Sequence, residues 1–318
     1  MPAPITRTLT SAPAGPVRFT FQMGHIPTVV KVADVPAIEV TLTTYADPGT
    51  AAADAVERAA LAQEGSAVTL TVPDAPGGGS ATTVTSVSRG GRSVVQSVSN
   101  SGSGAVVVVG GDFYGDVNLQ GGRVTMRGSV LGPTMVINGS PGIQAEILIP
   151  ADSTLHMTSK TADLTVEGEV NAIDYTSTSG NLRVGACQSL TYGTTGGDIY
   201  ADVADRVALR TTFGDIRLGR TEDVRASSVS GNVRIDDFGG MARITTVSGD
   251  VSIHATEGGT ITADSTSGDI SVTAIPGLAD EVGENRLIVN ARTISGDVTV
   301  PQPTAAGAYR PRPSRRRP

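Results

Sequence analysis

The sequence predicts an all-β fold: a parallel β-solenoid, β-helix- or β-roll-like, of two-strand rungs about 17 residues long, with a divergent, mainly β N-terminal part. Three observations carry this. A short Gly-Asx motif recurs seven times at a nearly constant spacing. Apolar residues alternate on both sides of each copy, which is the period of a strand. The composition is Gly-rich (39 of 318 residues), poor in aromatics (3%, no Trp) and low in charge (17%). Gly is far below the one-third of a collagen, and no apolar run approaches the ~20 residues of a membrane-spanning helix.

The chain divides in order. Residues 1–76 form a divergent region, with strands at 17–21 (VRFTF), 38–42 and 68–72 and a helix over Ala51–Glu64 that Gly65 stops. Residues 77–104 are rich in Gly, Ser and Thr and read as a linker or excursion, with a weak strand at 94–98. The solenoid is expected over 105–301 and becomes regular from Asp163. Within it, alternation marks 115–119 and 123–126, and Ala145–Leu155 is a strand, a Pro break and a new strand. Residues 302–318 are Pro- and Arg-rich and are expected to be disordered.

The repeats are STSGNLRV, TTGGDIYA, TTFGDIRL, SVSGNVRI, TVSGDVSI, STSGDISV and TISGDVTV. Their glycines are Gly180, Gly197, Gly214, Gly231, Gly249, Gly268 and Gly296, at steps of 17, 17, 17, 18, 19 and 28. Gly followed by Asp or Asn is a turn signal, since Gly accepts positive φ and the Asx side chain bonds nearby backbone. After each turn come two apolar columns, Leu182 to Val298 and Val184 to Val300. Before it, at seven and five residues, come Ile173 to Val289 and Tyr175 to Ala291. Neither strand buries its face alone, but stacked copies do. The step of 28 places an insertion within 274–285, projecting at a turn, and Pro301 ends the last strand.

The SGDV-type repeat, with the IPADSTL segment upstream of it, resembles the bacterial "putative adhesin" β-solenoid family, a domain of unknown function. The resemblance covers roughly Ala145 to Val300, and more loosely Val17 to Val72, where Gly24-His25 stands in for Gly-Asp. It implies the solenoid fold and implies no catalytic residues.

Several columns are candidates for chemistry. The Asx column is Asn181, Asp198, Asp215, Asn232, Asp250, Asp269 and Asp297. Stacked carboxylates are an option for Ca²⁺, but Ca²⁺ takes 6–8 oxygens and the motif lacks the second Gly-rich turn that supplies them. The expected role is turn capping. The hydroxyl column, Ser177, Thr194, Thr211, Ser228, Thr246, Ser265 and Thr293, is expected to form a cross-rung hydrogen-bond ladder. An outer stripe of Arg183, Tyr200, Arg217 and Arg234, with Arg225 and Arg243 on the other strand's outer face, is a candidate track for an anionic partner. Against it stands a solvated face with acidic neighbours.

Enzyme signatures are sparse. His25, His156 and His254 are far apart, and no HExxH, P-loop, Rossmann or GxSxG motif is present. Asp236, Asp237 and Asp215 are the carboxylates that a glycan-processing β-helix enzyme would use. Cys187 reads as a turn or core thiol. No cofactor, metal or small-molecule substrate is inferred.

Net charge is −7, yet the last stretch carries Arg310, Arg312, Arg315, Arg316 and Arg317 with no acid. That tail is a candidate contact for anionic membrane or nucleic acid. No apolar leader opens the sequence, so the expected location is cytoplasmic, with peripheral membrane association as an option. The expected function is a non-catalytic scaffold or interaction protein with an unknown protein partner. Self-assembly through stacked ends is the alternative, and the glycan-processing enzyme comes third.

Overall fold

The computed structural model describes residues 4–73 and 142–302, apart from 282, 284 and 285, and between them the backbone of six further strands. The tail from 303 onward lies outside the described residues, as do the stretches of 74–141 that join those strands.

The regular part is a β-solenoid. It comprises β15 (Leu164–Ser177), β16 (Leu182–Gly193), β17 (Ile199–Phe213), β18 (Ile216–Ser230), β19 (Val233–Ser248) and β20 (Val251–Ser267), paired in parallel, each in register with the next. Each long strand is one rung. Its first face follows the Gly turn, a bend comes mid-strand, and its second face leads to the next Gly turn. The last rung is split into β21 (Ile270–Ala274), β22 (Leu287–Ser295) and β23 (Val298–Thr299). The expected insertion falls at its bend, where a short 3₁₀ turn at Leu278–Asp280 tucks Leu278 against the core.

The interior is a set of stacked columns. Leu182, Ile199, Ile216, Val233, Val251 and Ile270 are buried on the first face, and Val184, Leu218, Ile235, Ile253 and Val272 beside them. On the second face Leu190, Val207, Val224, Ala242 and Ile261 are buried, with Tyr192, Leu209, Ala226, Ile244 and Ala263. Each fully buried Val, Leu or Ile contributes roughly 1.5–3 kcal/mol, so identical positions stacked at about 4.8 Å give a continuous core from short segments. A further inward column lies at the bend: Val170, Cys187, Ala204, Thr221, Phe238 and Ala255. The rung is thus more than two flat strands. The bend side chain closes the interior between the faces.

The N-terminal part belongs to the same sheet. It comprises β1 (Ile5–Thr10), β2 (Arg18–Gly24), β3 (Thr28–Val32), β4 (Glu39–Thr44), helix α1 (Ala51–Arg58), β5 (Ala60–Glu64) and β6 (Ala67–Thr71). Strand β2, the Gly24-His25 turn and β3 form a rung of their own. They are interwoven with β13 (Ile143–Ile149) and β14 (Thr154–Ser159). Strand β14 lies between β2 and β15, while β3 lies between β13 and β15. The far end is closed by antiparallel pairs, β1 on β4 and β5 on β6, with Ala53, Ala55 and Val56 of the helix buried.

Two expectations change. The helix ends at Arg58 rather than Glu64, and Ala60–Glu64 is a strand, because antiparallel pairing with β6 outweighs the helix propensity of this Ala-rich stretch. Thr50 caps the helix, its hydroxyl accepting from the Ala53 N–H at 3.3 Å. Strands in 84–139 are not solenoid rungs. The strands β7 (Val84–Arg89), β8 (Arg92–Ser99), β9 (Ala105–Val109) and β12 (Met135–Gly139) pair antiparallel in one small sheet, and β10 (Asp112–Gln120) with β11 (Arg123–Leu131) in another. The links at Gly90-Gly91 and Gly121-Gly122 have two residues each. A parallel crossover needs a dozen or more, so these links permit only hairpins.

Candidate anion-binding face

The Gly-Asx turn is the joint that sets every outer column. Gly180, Gly197, Gly214, Gly231, Gly249, Gly268 and Gly296 all have φ between 127° and 152°. At each one a Cβ would collide with the carbonyl of the turn residue one rung earlier, which is Gly in all but the first copy. The Asx side chains act between rungs rather than within one turn. Oδ1 of Asn181, Asp198, Asp215, Asn232, Asp250 and Asp269 each accepts the backbone N–H of the next Asx residue, at 2.7–2.9 Å. Asp163 starts the ladder by accepting from the Asn181 N–H at 2.7 Å. Asp297 ends it. One oxygen of each side chain before the last is therefore committed to backbone. Among the described residues no three His, Cys, Asp or Glu side chains come together as a metal ion would need.

The hydroxyl column also differs from the expectation. Ser177, Thr194 and Thr211 donate to the carbonyl two residues on in their own rung, at 3.1, 2.8 and 2.9 Å. This is a local turn bond, the ordinary preference of a short hydroxyl side chain. Thr293 alone also reaches the rung below, at Gly268 O, 3.0 Å. The tyrosines beside this column are buried and stacked. Tyr175 and Tyr192 lie with ring centroids 4.8 Å apart, and their hydroxyls donate to Ala162 O and Gly180 O at 2.8 Å. Burial pushes both phenols above their ordinary pKa. It pushes the Cys187 thiol up to about 12, with Asp205 adding to the shift.

Arg183, Tyr200, Arg217 and Arg234 are neighbours in register on four successive strands of the first face. Arg234 is already engaged: its Nε donates to Asp236 Oδ1 at 2.6 Å. The carboxylates considered for catalysis are not assembled. Asp215 serves the Asx ladder at the Gly turn. Asp236 holds Arg234, and Asp237 accepts from the Thr256 hydroxyl, both at the other end of the first face. The three His side chains are equally dispersed, bonded to Thr161, Asp174 and Thr273.

The second face carries a more complete arrangement. Arg225 and Arg243 are direct neighbours on β18 and β19, and Arg210 lies one strand earlier and one column over. With Thr176, Thr191, Ser227 and Thr245 they line an open groove of about 490 Å³. Its floor is low because Gly193 and Ala208 stand where longer side chains would fill it. No acid lines it. Asp223, two residues before Arg225, is in register with Arg206 instead. Asp174 is hydrogen-bonded with His156 and Asp264 is ion-paired with Arg292. Like charges directly opposite on neighbouring strands are destabilising, and among the described residues no salt bridge joins Arg225 or Arg243 to an acid. Arg210 escaped the sequence reading. Its signal was present: it sits four residues before Gly214, on the same outward parity as Arg225 at six before Gly231.

No curated protein matches the chain. Two solved structures are similar over nearly their whole length. One is a "putative adhesin" from Bacteroides fragilis (12% identity, 93% of this chain and 97% of that one, TM-score 0.41). The other is a "putative adhesin" from Parabacteroides distasonis (10% identity, 94% and 98%, TM-score 0.42). The family described as Toastrack DUF4097 matches residues 94–311. That span holds every Gly-Asx rung and more than two thirds of the sequence, and the chain belongs to the Toastrack DUF4097 family.

Proposed function

We propose that the protein is a non-catalytic solenoid scaffold that offers the Arg-lined groove of its second face to an anionic partner. The observation that carries this is the acid-free cluster of Arg210, Arg225 and Arg243 on three consecutive rungs of a chain with net charge −7. At ~4.8 Å per rung the cluster spans about 10 Å, long enough for two or three successive negative groups. Hydroxyls at Thr191, Ser227 and Thr245 line the same groove and add donors to it. Guanidinium forks match carboxylate and phosphate geometry. The non-catalytic reading rests on the dispersal of Asp215, Asp236, Asp237 and the three His side chains into separate structural bonds.

The test is retention on immobilised heparin under a salt gradient, comparing the full chain with Arg225→Ser/Arg243→Ser. The Arg tail is unchanged between the two. The proposal expects the variant to elute at clearly lower salt. Coincident elution would mean that this face is merely solvated.

A further inference from the structure

The two ends of the solenoid are unlike. One is closed by β1, β5 and the helix, and the Gln63 side chain ties Ala12 to β5 through both its backbone N–H, at 2.7 Å, and its carbonyl. The other ends on β22, which pairs with β20 on one side and with no described strand on the other. Its inward residues Leu287, Val289 and Ala291 are only partly covered, whereas the equivalents of Val289 and Ala291 in earlier rungs, Ile261 and Ala263, are fully buried. Its outward residues include Ile294, 83% exposed, and Ile288, 41% exposed. A free edge with apolar residues on both faces is a template for another strand.

The sequence of that edge is self-complementary. Let two copies of β22 (LIVNARTIS) run antiparallel with complete overlap, centred on Ala291. Ile288 then faces Ile294 of the second copy, and Val289 faces Thr293. Arg292 faces Asn290 rather than another Arg292, and its charge is already met by Asp264 in its own chain. The exposed Ile288 and Ile294 thus cover each other twice across the two-fold, with Ala291 against Ala291 between them.

We propose that two copies of this chain join edge to edge through β22, antiparallel and centred on Ala291, as a closed two-fold dimer. An isologous contact of this kind uses the same surface twice and stops at two. The closed opposite end denies the head-to-tail stacking that a filament would need.

The test is sedimentation equilibrium of the full chain together with two variants. The wild type is expected to be a dimer. Ile294→Lys, at the most exposed large apolar side chain of the strand, is expected to weaken the dimer at least tenfold. Adding Ile288→Glu to that variant is expected to restore it, because this register alone sets residue 288 of one copy against residue 294 of the other. A wild-type monomer at 100 µM, a dimer indifferent to Ile294→Lys, or growth into filaments would each overturn the proposal. So would a monomer whose residues 287–295 are protected from hydrogen exchange, which would assign the edge to the chain's own residues 303–318.

Discussion

Two adjacent glycines, Gly196 and Gly197, should respond oppositely to the same substitution. Gly197 has φ +128°, and a Cβ there would collide with the carbonyl carbon and oxygen of Gly180 in the rung below. Gly196 has no such φ, and a Cβ there would meet nothing within 4 Å. Forcing Ala into a Gly-only backbone region costs about 1–3 kcal/mol. The collision adds to this, because the offending atoms are backbone held at rung spacing and cannot swing away. Gly197→Ala should therefore lose about 3 kcal/mol or more, in the upper range for single substitutions. Gly196→Ala should be neutral or gain up to ~1 kcal/mol, since Ala has less freedom than Gly to lose on folding. By the scaling for large domains, ~3 kcal/mol corresponds to a midpoint drop of roughly 6–12 °C. Thermal unfolding followed by circular dichroism reads both variants. Equal effects at the two positions, or a Gly197→Ala midpoint within 1 °C of wild type, would refute the stacked-turn argument.

Other expectations follow from the same geometry. Asp215→Ala removes the acceptor of the Asn232 N–H at 2.7 Å and should cost about 0.5–1.5 kcal/mol. Asp215→Asn should be nearly neutral in the same urea titration, because Asn already serves the ladder at Asn181 and Asn232. Tyr192→Phe leaves the Gly180 carbonyl without the hydroxyl that donates to it at 2.8 Å and should lose about 1–3 kcal/mol in denaturant unfolding. Cys187, buried and with its pKa pushed up to about 12, should resist a thiol reagent at pH 8 until the protein is unfolded. The sign with pH follows: the folded state holds this proton more tightly than the unfolded one. Cys187 thus leaves stability untouched below pH 9 and lowers it between pH 9 and about 12; Cys187→Ala should lessen the alkaline loss, while the raised phenols of Tyr175 and Tyr192 keep the remainder.

What could be read from the residues was whatever repeats with fixed chemistry. Gly197, Gly214 and Gly231 recur because no other residue fits, and the columns through Leu182 and Leu190 recur because both faces must be apolar. The bend column was not legible. Cys187, Ala204, Thr221 and Phe238 share a position but no chemistry, since that position needs only to be closed by some side chain. Its offset of three residues from the columns on either side also breaks the strand period. Contacts between distant segments left no local mark either. Strand β2 pairs with β14 more than 130 residues later, and nothing in Arg18–Gly24 names its partner. The hydroxyl column was visible as a column, but its direction was not. A Ser or Thr at a turn can bond along the chain or across rungs with the same sequence signature. Of the Arg groove, the charges were visible. Its floor was not, because it depends on Gly193 and Ala208 lying beside Arg210 and Arg225 on neighbouring strands.

The central claim is that residues one repeat apart are stacked one strand spacing apart. Spin labels on the first-face outer column measure this directly. In a Cys187→Ala background, the pair Arg183→Cys with Ser252→Cys is four rungs apart, and Arg183→Cys with Ser271→Cys is five. At ~4.8 Å per rung the backbone separations should be about 19 and 24 Å. Pulsed dipolar spectroscopy should give two narrow distributions offset by one rung. Broad distributions, or equal distances for the two pairs, would contradict the solenoid.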